Sequence, residues 1–235
     1  MTLRDARRRF VLTSIPLVRT GTNGFPDNAV SGCLIQFPEA RVLVTTRHQL
    51  SGEGNWALEV ETVDGGQTRL FSLDGIVPLD GPDLAVRTVP THVLPVLQLM
   101  AERGRVIHAE PRMIVRHDRI TLPNRRRRYG FAGRSGRDRV DRFVVGDLRV
   151  EFDLKYVGDE DACFIFDLGK DHPGDDHYRG CSGAPILDRE GTLVALVRGP
   201  SRRPRAITAV PLYPHRGAIV ARASEAAAIP RFPLR

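Results

Sequence analysis

This sequence predicts an all-β fold, sandwich or barrel. Three observations carry that prediction. Short apolar runs recur along the chain with turn residues between them. Helix-length patterns are confined to 93–103 and to the alanine-rich stretch 215–228. No segment repeats at a fixed period.

Taken in order, the strands read as 10–18, 33–37, 41–46, 56–63, 68–73 and 84–89, then 113–115, 144–154, 162–168, 184–187, 192–197 and 206–211. The first of these follows an arginine-rich start. Ser14 and Pro16 break its apolar run, so it suits a strand better than the core of a signal peptide. Pro95 limits how far a helix over 93–103 extends towards its N-terminus, and Pro214 and Pro230 bound a closing helix.

The 235 residues, 41% of them hydrophobic, suffice for one large β unit or two small lobes sharing a core. No apolar stretch reaches the length of a membrane span. With no leader pattern and an odd set of cysteines, Cys33, Cys163 and Cys181, the expected setting is cytoplasmic with reduced thiols.

Charge is unevenly placed. Residues 112–142 hold eleven arginines against Asp118, Asp138 and Asp141, which exceeds the net charge of +7 for the whole chain. The run Arg125, Arg126, Arg127 and Arg128 is its centre, and only Lys155 and Lys170 are lysines. This stretch reads as a solvated loop, as a docking surface for an acidic protein or a nucleic acid, or as a self-cleavage site. Nucleic acid is the less favoured partner, because few aromatics interleave the arginines.

The chemistry-bearing motif is Gly180-Cys181-Ser182-Gly183-Ala184-Pro185, followed by an apolar strand. Glycine before the serine lets the backbone turn sharply and aim amide N–H groups at a developing oxyanion. Acyl transfer by serine also needs a base and a group that holds the imidazole tautomer. Upstream, Arg41-Val42-Leu43-Val44-Thr45-Thr46-Arg47-His48 is a strand ending in a histidine, and Asp83-Leu84-Ala85-Val86 places an aspartate before a second apolar run. The order His48, Asp83, Ser182 is that of the chymotrypsin-like class.

On these three motifs the chain resembles the trypsin-like serine peptidases, in an intracellular bacterial-type branch. The resemblance implies two six-stranded β-barrels with the active site in the cleft between them and a C-terminal helix. It makes 1–235 a single peptidase domain, with 1–100 as the first barrel, carrying His48 and Asp83, and 101–235 as the second, carrying Ser182. It implies a serine endopeptidase with His48 as base, Asp83 as its orienting acid and Ser182 as nucleophile. Gly180 and Ser182 would supply the oxyanion amides, and no cofactor or metal is needed.

By the same resemblance Asp176 lines the base of the primary pocket and favours cleavage after Arg or Lys. Asp171, Asp175 and Asp176 also read as a solvated acidic loop. Arg198, Gly199 and Pro200 form the pocket wall. The family usually has a small hydroxyl residue where Arg198 falls and commonly glycine where Pro200 falls. Arg198 would then be placed to neutralise an aspartate of the pocket. Secreted members carry an aspartate where this chain has Cys181, so activity is expected to be constitutive or set by a regulatory protein partner, with a stress or antiviral defence role implied. The expected partners are a protein or peptide substrate and such a regulator, with no membrane. The alternative is a catalytically silent module that uses its arginines to hold a partner. An esterase on small acyl substrates is a third possibility.

Overall fold

Residues 2–21, 26–50, 55–61, 68–100, 106–140, 143–172 and 174–228 are described by the computed structural model. Where the sequence predicts a first strand over 10–18, the chain forms helix α1, Leu3–Thr13, and only then strand β1, Ile15–Thr20. A capping box starts the helix: Thr2 Oγ1 accepts from the Asp5 amide at 3.2 Å, and the Asp5 carboxylate accepts from the Thr2 amide at 3.0 Å. Ala6, Phe10 and Thr13 lie on one buried face. Pro16 holds Ile15 extended and stops the helix.

The first sheet continues with β2 (Pro26–Gln36), β3 (Arg41–Thr45), β4 (Asn55–Glu61), β5 (Thr68–Ser72), β6 (Val77–Pro78) and β7 (Ala85–Thr88). Its order is β5-β4-β1-β2-β3-β7-β6. Strands β8 (Val96–Met100) and β9 (Val106–Pro111) pair as a hairpin, where the sequence predicts a short helix over 93–103. Leucine and methionine favour helix, but by only a few tenths of a kcal/mol per residue, and a facing strand supplies backbone partners that outweigh that preference. The short β10 (Val115–Arg116) then runs parallel to β2.

The second half is a closed six-stranded barrel of β11 (Tyr129–Val140), β12 (Phe143–Glu160), β13 (Cys163–Asp167), β14 (Pro185–Asp188), β15 (Leu193–Pro200) and β16 (Ala206–Pro211). The predicted closing helix is α2, Arg216–Ala228. Among the described residues, no helix is long and apolar enough to cross a membrane.

Period-two alternation along β2 and β3 divides the core. Leu34 and Leu43 pack with Ile15, Leu17 and Leu58 inside the first sheet. Cys33, Ile35, Val42 and Val44 face the other way, into a cluster shared with Leu187, Leu196 and Val210 of the barrel. Full burial of each such aliphatic side chain contributes roughly 1.5–3 kcal/mol. The helices cross over. Helix α1 lies on β11, β12 and β14, with Phe10 so close to Gly130 that a Cβ there would meet the ring at 2.3 Å. Helix α2 lies on β3, β6 and β7, where Thr88 Oγ1 donates to the Ala223 carbonyl at 2.7 Å.

Candidate active site

Strand pairing brings His48 to Asp83. Strands β3 and β7 are antiparallel with Thr45 opposite Ala85, so the segment after Thr45 runs beside the segment before Ala85. A single 3-10 turn, Arg47–Leu50, presents His48 there. The Arg47 amide donates to the Asp83 carbonyl at 3.3 Å, and the His48 amide donates to Asp83 Oδ1 at 2.9 Å. His48 Nδ1 lies 2.6 Å from Asp83 Oδ2. Two contacts from one residue to one carboxylate favour the tautomer with a proton on Nδ1, which leaves a lone pair on Nε2. Burial works to raise the Asp83 pKa, but the hydrogen bonds from the His48 ring and amide, with the charges of His48 and Arg198, outweigh it. The carboxyl therefore sits below its ordinary value.

The loop that carries Ser182 is built on two glycines in left-handed conformations, Gly180 at φ 94° and Gly183 at φ 86°. A Cβ on Gly180 would meet the Arg134 carbonyl at 2.5 Å, and one on Gly183 would meet the Ser31 carbonyl at 1.9 Å. Amides of the loop are otherwise engaged: Cys181 donates to the Tyr178 carbonyl, Gly183 to Val197 and Ala184 to Cys181. Among the described residues, the Gly180 and Ser182 amides donate to nothing. These are the two amides that the sequence assigns to an oxyanion.

The first sheet braces this loop through a residue the sequence did not flag. Ser31 Oγ donates to the Gly180 carbonyl at 3.0 Å, and the Ser31 amide donates to the Ser182 carbonyl at 3.1 Å. Thr45 Oγ1 in turn donates to the Ser31 carbonyl at 2.7 Å. A small hydroxyl in a strand carries no sequence signal by itself. Its role follows only from the approach of two distant segments.

Arg198 joins the parts. Ser182 Oγ donates to the Arg198 carbonyl at 2.8 Å. The half-exposed side chain turns back so that Nε lies 3.4 Å from Asp83 Oδ2, with Nη1 3.9 Å from Cys163 Sγ. The aspartate that Arg198 meets is thus the partner of His48. A hydroxyl has one proton to give, so in this conformation Ser182 is not donating to His48. Gly199 faces open space, since nothing lies within 4 Å of an added Cβ, and half-buried Pro200 follows it on β15. Asp176 belongs to a one-turn helix, Asp175–Tyr178, and its side chain lies outside the described residues.

No protein-family model matches the sequence, and no curated protein sequence matches it. Solved structures do match. The serine endoprotease from Yersinia pestis superposes with a TM-score of 0.60 at 12% identity, over 96% of this chain and 68% of that one. The MamO protease domain from Magnetospirillum magneticum, in its apo form, gives 0.52 at 15% identity, over 91% of this chain and 97% of that one. The fold is trypsin-like. Identities this low concern the fold and not the chemistry. In trypsin-like terms, the His48–Asp83 pair comes from the first half and the Ser182 loop from the second.

Proposed function

We propose that this chain is a serine endopeptidase. One observation carries the reading: the doubly bonded His48–Asp83 pair and Ser182 both meet Arg198, and the amides of Gly180 and Ser182 are unengaged among the described residues. In the proposed cycle Ser182 Oγ turns from the Arg198 carbonyl to His48 Nε2, gives up its proton and attacks the scissile carbonyl. The carbonyl π pair moves onto oxygen, where the Gly180 and Ser182 amides hold the charge. Each such donor is worth roughly 3 kcal/mol in the transition state. His48 then protonates the leaving amine, and water, deprotonated by His48, releases the acid and restores Ser182. Once Ser182 turns, the Arg198 carbonyl is free to accept an N–H from the substrate main chain.

Asp176 gives the finer reading, cleavage after Arg or Lys by charge pairing. Regulation in this proposal comes from a protein partner acting on the loop 171–179. Cys181 supports that part: it is fully buried against Gly133 and offers no carboxylate to a new N-terminal ammonium.

A second reading, a silent binding module, is favoured by the Ser182 proton resting on Arg198 and by the guanidinium beside Asp83. A fluorophosphonate probe separates the two. The proposal expects labelling of the intact chain and none of Ser182→Ala. No labelling at pH 8, with candidate partners added, gives the binding module the field. Peptide-library cleavage with the same control tests the Arg/Lys preference.

A further inference from the structure

A string of hollows runs over the end of the barrel away from Ser182. The nucleophile loop enters β14, whose four residues advance the chain by roughly 13 Å, and the turn at 189–191 that follows walls the hollows. One hollow of about 300 Å³ is lined by Arg126, Arg127, Arg128, Arg189 and Glu190. It shares Arg128 and Arg189 with a hollow of about 510 Å³ that adds Lys155 and Lys170. It shares Arg127 with one of about 280 Å³ that adds Arg119.

The cations there are of two kinds. Arg127 holds the Asp188 carboxylate, Arg189 pairs with Asp153 at 2.7 Å, and Lys170 pairs with Glu151 at 2.9 Å. Asp188 and Glu151 are buried, at 1% and 7% exposure, so they anchor cations from inside. Arg119, Arg126, Arg128 and Lys155 have no ion pair among the described residues, and all but half-buried Arg128 are exposed. The hollows' carboxylates are thus taken up by cations, Asp118 by Arg116 and Glu190 by Arg127 among them, and the four unpaired cations leave an excess of positive charge along a continuous, concave line.

Its remaining lining selects the partner. A protein interface needs an apolar centre, yet among the described residues Leu122 alone of the exposed large hydrophobic side chains lines these hollows. Single-stranded nucleic acid needs aromatic faces for stacking. Tyr129 is buried, and the Phe152 ring is covered by the Arg7 guanidinium at 4.1 Å. What remains is recognition of closely spaced phosphates by guanidinium groups. We propose that this face binds the phosphate backbone of a nucleic-acid duplex. The inference does not depend on catalysis by Ser182.

The test is fluorescence anisotropy of the intact chain with a labelled 20-bp DNA duplex and the RNA duplex of the same sequence. Binding of either supports the proposal, and their ratio identifies the source of the phosphates. Four unpaired cations predict a salt slope near −3.6, or on the order of a hundredfold weaker binding at 200 mM than at 50 mM salt. Replacing Arg126, Arg128 and Lys155 together by alanine is expected to weaken binding at least tenfold at 50 mM salt and to flatten the slope by about 2.7. The charge-matched control replaces Arg202, Arg203 and Arg205, in the turn between β15 and β16, and is expected to change binding less than twofold. The proposal is overturned if neither duplex binds at 50 mM salt, if the two triple variants lose equally, or if polyglutamate of equal charge binds more tightly than duplex.

Discussion

Arg198 and Asp83 meet with Nε 3.4 Å from Oδ2, on the same carboxylate oxygen that faces His48 Nδ1 at 2.6 Å. One carboxylate thus serves two cations once an imidazolium forms. In the proposed cycle Arg198 would partly neutralise the charge that stabilises that imidazolium. In trypsin-like terms a small hydroxyl residue would normally stand here, and it would make no such demand.

Arg198→Ser is therefore expected to speed fluorophosphonate labelling of Ser182 about fivefold at pH 8, since a screened charge near 4 Å is worth about 1 kcal/mol. The same change acts on acid stability. The lowered pKa of Asp83 gives stability that is present above the unfolded value near 4 and is lost as pH falls through the folded value. Removing Arg198 raises the folded value, so the acid-unfolding midpoint should move to higher pH. Unchanged labelling and an unchanged midpoint together would discard the coupling.

Gly183→Ala should cost about 3 kcal/mol or prevent folding, because the new methyl carbon falls 1.9 Å from the Ser31 carbonyl at a positive φ. Gly199→Ala meets open space and should stay within about 0.5 kcal/mol of the parent. Urea unfolding of the pair makes the comparison, and similar midpoints would contradict the close approach of the two halves.

Ser31→Ala removes the hydroxyl from the Gly180 carbonyl and should cost about 1 kcal/mol. Its sharper consequence is kinetic. The loop that carries the Gly180 and Ser182 amides loses a brace, so labelling of Ser182 should slow beyond what the stability change accounts for at 25 °C.

Burial pushes the Cys33 and Cys181 thiols up to about 12, and burial also raises Cys163 despite the nearby Arg198. At pH 8 the folded chain should show less than one reactive thiol to a disulfide reagent within minutes, against three in denaturant. Prompt reaction of Cys181 would mean that the loop carrying Ser182 opens.

Arg127→Ala should destabilise by about 2 kcal/mol, since among the described residues the buried Asp188 carboxylate keeps only the Thr192 amide as a close partner. Arg126→Ala, with no ion pair among the described residues, should be neutral within about 0.5 kcal/mol. Thermal melts of the two variants decide between an anchor and a surface arginine within the same run.

Much of the candidate site was legible because each part announces itself locally: a strand ending in His48, an aspartate opening a strand, and a serine between glycines. The brace by Ser31 and the partner of Arg198 were not legible, since both depend on which segments of the two halves come face to face. Helix α1 was hidden for a different reason. Phe10, Val11 and Leu12 read as strand residues, while the deciding signals were the Thr2–Asp5 capping box and the spacing of Ala6, Phe10 and Thr13. The region of β8 misled in reverse, because helix-favouring leucines were recruited by a facing strand. The basic stretch 112–142 divides between a turn, where Arg126 and Arg128 have no ion pair among the described residues, and the long β11–β12 hairpin.

The crossing of the two terminal helices constrains how the chain assembles. Helix α1 docks on strands more than a hundred residues downstream, and helix α2 docks on the sheet made by the early strands. Each half is thus finished by a piece from the opposite end, like two hands each holding the other wrist. Contacts of such long sequence separation form late and slowly. A chain clasped this way is expected to unfold in one cooperative step, and neither half is complete until both are.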